Sequence, residues 1–134
     1  PYTSWESVSP TTPYRVERKQ HYDGPVAVLI GPYTFSAAED FTVSFDAMKR
    51  GVLLGEATGG STGKPLVIDL PGGGKGLICS KRDLYPDGRE FVGKGILPAV
   101  TISPTVADIR NHRDPVVERA SQMLLKRDAA VASR

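Results

Sequence analysis

Short apolar runs separated by glycine- and proline-rich turns form the clearest pattern along the chain. Val26–Ile30 is rich in valine and isoleucine and has a Gly-Pro pair on each side, which is typical of a buried strand. After the second Gly-Pro pair, Phe41, Phe45 and Met48 recur at the i, i+4, i+7 spacing of one helix face. The pattern therefore predicts a strand, a tight turn and a helix, which we expect to end near Arg50-Gly51.

The later apolar runs predict an α/β fold. Val52–Leu54 is a second short run, and we expect it to be a parallel strand reached through the crossover helix. Pro65–Leu70 and Lys75–Lys81 predict two strands of a β-hairpin joined by a glycine-rich turn. Asp114-Pro115 predicts the start of the last helix, with Asp as its cap and Pro at its first position.

Composition limits the chain to one soluble globular domain of 134 residues, with 40% hydrophobic and 24% charged residues. We predict an irregular lead-in over 1–23, a folded body over 24–128 and a fraying tail over 129–134. The net charge of +2 does not indicate nucleic-acid binding, and no apolar run reaches the length of a membrane span. The single cysteine, Cys79, excludes an internal disulfide, and we expect it to be buried in a strand and inert. Because the chain starts at Pro1, we interpret it as a mature product or a piece of something longer.

Ser36 stands at the predicted junction between strand and helix, and its pattern has two interpretations. In the first, Ser36 and Glu39 form a capping box: the serine hydroxyl accepts from the Glu39 N–H, and the carboxylate reaches back. In the second, Ser36 is a nucleophile at the carboxyl end of the sheet, where open α/β sheets bind ligands. The Ala37 N–H would then face an oxyanion formed beside the serine.

Gly55–Lys64 is a glycine-rich stretch that resembles a phosphate-binding loop only superficially. The P-loop pattern requires Gly six residues before the Lys and Ser or Thr directly after it. Those positions hold Thr58 and Pro65, so the pattern fails. We predict no nucleotide, no metal ion and no other cofactor.

Six short blocks in a fixed order resemble the C-terminal-processing (tail-specific) serine peptidases and their relatives, tricorn protease and the interphotoreceptor retinoid-binding protein. They span roughly Pro25 to Ala120, most of the chain. The blocks are PVAVLI, SAAE, LLGEATGG, LYPDGRE, GKGILP and DPVVERA.

This resemblance implies a crotonase/ClpP-like α/β fold: a mostly parallel sheet, covering helices and a β-hairpin extension. It implies that Ser36 is the catalytic nucleophile and that the Ala37 N–H belongs to the oxyanion hole. The substrate would be a peptide or an unfolded protein, cleaved through an acyl-enzyme. The family also makes an oligomer possible and favours a location outside the cytoplasm.

The general base is where the chain departs from the family. The position aligned with the lysine base of the tail-specific branch is Ser61, and Lys64, three residues later, is interpreted as a solvated loop lysine. The tricorn branch, which the chain resembles more closely, uses a Ser-His-Glu arrangement. Neither His21 nor His112 lies in a matching block. Glu90 is the candidate for the acidic supporting residue, with an exposed strand-edge glutamate as the alternative.

The sequence therefore predicts the C-terminal part of a serine peptidase catalytic domain that carries the nucleophile without its base. We expect the chain alone to have little peptidase activity. Two alternatives remain open on the same scaffold. One is a non-catalytic module that binds an apolar ligand, and the other is an enzyme acting on acyl thioesters.

Overall fold

The computed structural model describes the backbone of residues 20–132 and the side chains of residues 20–126. Most of the predicted lead-in, 1–23, lies outside the described residues. A short 3-10 turn, Pro71–Gly73, joins the third and fourth strands. The elements follow in the order β1 (Ala27–Ile30), α1 (Ala37–Ala47), β2 (Val52–Gly55), β3 (Pro65–Asp69), β4 (Lys75–Cys79), β5 (Val100–Thr101), α2 (Val106–Arg110) and α3 (Pro115–Ala132).

A parallel sheet with the strand order β1-β2-β5 forms the centre of the molecule. Helix α1 is the crossover between β1 and β2, so the parallel pair predicted from the apolar runs is confirmed. Ile30 of β1 and Thr101 of β5 both pair with Gly55 of β2. Because the three strands end in register, the segments that follow β1 and β2 leave the same edge of the sheet.

The hydrophobic core lies between the sheet, α1 and the segment that precedes β5. In β1, Val28 and Ile30 contact this core, whereas Leu29 points to the other face, as the two-residue period of a strand requires. Helix α3 packs against β1 and β2. The buried members of the core cluster are Ile30, Val43, Phe45, Leu53, Tyr85, Phe91 and Ile96.

Helix α1 ends earlier than its sequence predicts. Its last residue is Ala47, and Lys49 takes the left-handed conformation, with φ 53°, that was expected of a glycine near Arg50-Gly51. Gly51 serves a different purpose. A Cβ at this position would overlap the Val26 carbonyl oxygen, so a glycine is needed where the chain passes close to the strand β1.

Helix α3 begins as predicted. The Asp114 carboxylate accepts from the N–H groups of Val116 and Val117, both at 3.0 Å, and Pro115 is the first helical residue. The helix continues to Ala132, and the fraying of 129–134 stays a prediction. Within the described part of the chain, no helix is both long enough and apolar enough to cross a bilayer.

The predicted β-hairpin is formed by β3 and β4, which make a separate two-stranded antiparallel sheet. Apolar side chains on both of its faces are exposed, among them Val67 and Leu77, which pair across the strands. Cys79 lies in β4 as expected, but it is exposed. The prediction that Cys79 is buried is therefore wrong, because the hairpin does not belong to the core sheet, and its inertness stays a prediction.

Candidate active site

Ser36 lies directly before α1, at the end of the turn Gly31–Ser36 that follows β1, which we call the serine turn. Its backbone has φ 56° and ψ −128°, outside the regions that L-residues normally occupy. Non-glycine residues hold such conformations at a cost of about 1–3 kcal/mol, and they are concentrated at functional sites. A strained serine between a strand and a helix is the geometry that exposes a nucleophilic hydroxyl at the edge of an α/β sheet.

The capping box that the S-x-x-E spacing allows is not formed. The Ser36 hydroxyl makes no cap hydrogen bond, although Ser36 occupies the cap position of α1. The Ser36 N–H donates to the Ser61 carbonyl at 2.8 Å instead of to the Glu39 carboxylate. The serine side chain is therefore not used to begin the helix.

The Glu39 carboxylate is fully buried and binds the glycine-rich stretch Gly55–Lys64, which we call the glycine loop. Oε1 accepts from the Thr58 hydroxyl at 2.5 Å and from the Gly60 N–H at 2.7 Å, while Oε2 accepts from the Ser61 N–H at 2.9 Å. Three donors satisfy the charge that burial would otherwise make costly. This carboxylate thus ties α1 to the glycine loop.

The segment 91–97 supports the glycine loop from its other side. The Ile96 N–H donates to the Thr58 hydroxyl oxygen at 2.7 Å, and the Gly93 N–H donates to the Gly60 carbonyl at 2.7 Å. Gly60 has φ 65°, and a Cβ there would meet the Gly95 nitrogen at 2.6 Å, so no larger residue fits. The sequence blocks SAAE, GEATGG and GKGILP therefore meet at one place in the structure.

Ala37 is the first residue of α1, and its N–H makes no hydrogen bond to any of the residues that the structure describes. The first N–H groups of a helix have no partner within the helix and lie at the positive end of its dipole. The Ala37 N–H is therefore available to a negatively charged oxygen beside Ser36.

The residues considered in the search for a general base make different contacts in the structure. Ser61, at the position aligned with the lysine base, contacts Ser36 through its carbonyl oxygen. Lys64 is exposed, and its carbonyl accepts from the Ser80 hydroxyl at 2.6 Å. His21 pairs with Asp23 at 3.0 Å, and His112 is an exposed residue in a turn. Within residues 20–126, none of these side chains forms a hydrogen bond with Ser36.

Glu90 pairs with Leu84 in an isolated antiparallel bridge. Its carboxylate is half-exposed and binds Arg82 at 2.5 Å, with Lys94 at 3.8 Å. The hydrogen bond from Arg82, together with the charges of Arg82 and Lys94, lowers the pKa of Glu90. The structure describes no contact between Glu90 and Ser36.

One open cavity borders Glu90, and another borders the serine turn. The first, of about 380 Å³, is lined by Glu90 and by Tyr85, whose pKa burial raises to about 12. The other, of about 340 Å³, lies at the carboxyl end of β1 and is lined by Tyr33 and Thr34 of the serine turn.

Among residues 20–126, no three histidine, cysteine or carboxylate side chains are placed to hold a metal ion.

Sequence reasoning did not identify the hydrogen bonds that Glu39 makes to Thr58 and the glycine loop. The S-x-x-E spacing assigned the glutamate to its own helix start, whereas its partners lie about twenty residues further along the chain. The only sequence signal for that contact is the G-E-A-T-G-G block itself.

Comparisons with known proteins agree with this architecture. A family model described as peptidase family S41 matches residues 3–102. A Parabacteroides merdae protein assigned as a peptidase is 30% identical, with a TM-score of 0.68 over 75% of this chain and 32% of its own. The photosystem II D1 C-terminal processing protease is 32% identical, with a TM-score of 0.51 over 61% of this chain and 21% of its own.

Tricorn protease, at 22% identity, shares the fold, with a TM-score of 0.68 over 78% of this chain and 10% of its own. The chain thus spans about a third or less of the length of these three structures. A search of curated proteins finds no significant match. The family match and the peptidase neighbours agree with the six blocks of the sequence: the chain belongs to peptidase family S41, the C-terminal-processing peptidases.

Proposed function

We propose that the full-length parent of this chain is a serine-type peptidase that hydrolyses peptide bonds through an acyl-enzyme at Ser36. The observation that carries this proposal is the backbone of Ser36, strained at φ 56° and ψ −128°, with a side chain that caps nothing. A fold does not retain such strain without a compensating role, and presenting a hydroxyl for attack is one.

In this mechanism the Ser36 Oγ attacks the carbonyl carbon of the scissile bond, and the hydroxyl proton passes to a general base. The Ala37 N–H stabilises the oxyanion, and the C–N bond then breaks as the leaving amine takes up the proton. Water hydrolyses the resulting ester, which releases the second peptide and restores the serine.

We further propose that the base comes from a part of the parent outside residues 20–126. A serine hydroxyl needs an adjacent base at neutral pH. The position next to Ser36 that aligns with a lysine base holds Ser61, whose side chain cannot serve as one. We keep Glu90 as the hypothetical acidic supporting residue. Its ion pair with Arg82 would have to break before its carboxylate could take that role.

The test is turnover of an unfolded protein by the full-length parent and two serine variants. Ser36→Ala is expected to lower kcat by about 10³-fold or more, because alanine cannot form the acyl-enzyme. Ser44→Ala is the matched control: Ser44 is an exposed serine on the same helix, bonded only to the Asp40 carbonyl at 2.9 Å. If Ser36→Ala retains more than about a tenth of the activity, the proposal is wrong.

A further inference from the structure

A closed ring of hydrogen bonds joins Ser36, Glu39 and Ser61. The Ser36 N–H donates to the Ser61 carbonyl at 2.8 Å, and the Ser61 N–H donates to Glu39 Oε2 at 2.9 Å. The Glu39 N–H then donates to the Ser36 carbonyl at 2.8 Å. Both backbone polar groups of the strained serine are thus held, and the partner of its N–H is fixed by a side chain in the first turn of the helix.

From this ring we infer that Glu39 is a positioning residue for the nucleophile: its buried carboxylate holds the glycine loop so that Ser61 fixes the Ser36 backbone in its strained conformation. The inference rests on the proposed function of Ser36. Glu39 touches no reacting atom and acts through Ser61.

The charge of Glu39 matters because its two oxygens accept three hydrogen bonds. A glutamine has one oxygen and one NH₂ group. In either orientation its NH₂ group would face a donor, namely the Ser61 N–H or the Thr58 hydroxyl and the Gly60 N–H. Two opposed donors in a fully buried place push the loop away from the helix, and the restraint on Ser36 is lost.

Thr58 gives an independent way to disturb the same contact. Its hydroxyl donates to Glu39 Oε1 and also accepts from the Ile96 N–H. Thr58→Val removes both bonds at nearly constant volume. Thr58→Ser keeps the hydroxyl and loses only a methyl group. The two variants therefore separate the hydrogen bonds from the packing.

The experiment compares Glu39→Gln, Thr58→Val and Thr58→Ser in the full-length parent, with Glu56→Gln as the matched control. Glu56 belongs to the same loop, and its Oε1 accepts from the Ser103 hydroxyl at 2.8 Å, a bond that glutamine retains. Active-site titration with a fluorophosphonate counts the competent serines. Turnover of an unfolded protein then gives kcat per titrated site and KM.

We expect Glu39→Gln and Thr58→Val to lower kcat per titrated site by about ten-fold or more, with KM within about two-fold of wild type. Thr58→Ser and Glu56→Gln should stay close to wild type. Glu39→Gln and Thr58→Val should also slow the fluorophosphonate reaction of each site, because a misplaced Oγ attacks phosphorus and carbon alike.

The inference is overturned if both disruptive variants lose the fold, or lose only titratable sites while each remaining site reacts at the full rate. In that case Glu39 merely supports the structure. It is also overturned if Glu39→Gln has full activity while Ser36→Ala has none, which would leave the proposed function intact. An active Ser36→Ala enzyme would instead refute the proposed function, and this inference with it.

Discussion

The Ser36 N–H donates to the Ser61 carbonyl oxygen at 2.8 Å, although twenty-five positions separate the two residues in the chain. This bond places the glycine loop beside Ser36. It also explains why the family can use a lysine at the position of Ser61 as a base, since a side chain there begins next to the serine. With serine at that position, this chain has a hydroxyl where a lysine amine would otherwise lie.

The changes in unfolding free energy caused by substitutions at Ser36 are expected to differ from those of a residue that caps a helix. A cap predicts that Ser36→Ala costs about 1 kcal/mol and that Ser36→Gly costs a few tenths. Because the hydroxyl caps nothing and φ is 56°, we expect Ser36→Ala to be nearly neutral and Ser36→Gly to stabilise the chain by about 1 kcal/mol.

Thermal or urea unfolding of the 134-residue chain measures this difference. Wild type provides the reference, and Ser44→Ala is the control for removing a hydroxyl from the same helix. A loss of about 1 kcal/mol in Ser36→Ala, restored in Ser36→Asp, would return Ser36 to the role of a cap.

Gly51 is expected to tolerate no side chain. A Cβ there would overlap the Val26 carbonyl oxygen and lie 2.7 Å from the Phe45 ring, so Gly51→Ala should cost about 2–3 kcal/mol. Gly31→Ala is the matched control at the other end of β1, because a Cβ there meets nothing within 4 Å. Urea unfolding of both variants measures the difference, and equal stabilities would contradict the close approach.

Glu90 is expected to titrate below its ordinary range, because the hydrogen bond and charge of Arg82 lower its pKa. A carboxyl whose pKa is lower in the folded state stabilises the fold above its unfolded pKa of about 4.3. That contribution disappears as the pH falls through the folded pKa. Arg82→Gln should raise the Glu90 pKa towards its ordinary value, and Lys94→Gln should raise it less, since its Nζ lies at 3.8 Å.

A carbon-13 NMR titration of the Glu90 carboxyl in the two variants and the wild-type chain measures these pKa values. A wild-type pKa at or above the ordinary value would contradict the ion pair.

The elements that could be predicted from the sequence are those that a local pattern of apolar, capping or turn residues specifies. Val26–Ile30 and Val52–Leu54 predicted strands that the structure pairs in parallel, and Asp114-Pro115 predicted a helix start that the structure confirms. The resemblance to the family favoured the nucleophile hypothesis for Ser36, which the S-x-x-E spacing alone left between two interpretations.

Contacts between distant segments could not be predicted from a single sequence. Glu39 has the spacing of a local cap, but a buried glycine loop offers its carboxylate three donors, and these outweigh one N–H at a helix end. Cys79 belongs to an apolar run, and apolar runs are usually buried. Whether a hairpin joins the core sheet or stands apart is decided by packing that its sequence does not encode locally.

The most direct test of the central claim, that Ser36 is the nucleophile, is to map the adduct of a fluorophosphonate on the active full-length parent by mass spectrometry. Trypsin releases residues 20–49 as one peptide that contains two serines, Ser36 and Ser44. We predict a single adduct on Ser36, absent from Ser36→Ala and unchanged in Ser44→Ala, that appears as peptidase activity disappears. Complete inhibition with Ser36 unmodified, or with the adduct on another residue, would contradict the claim.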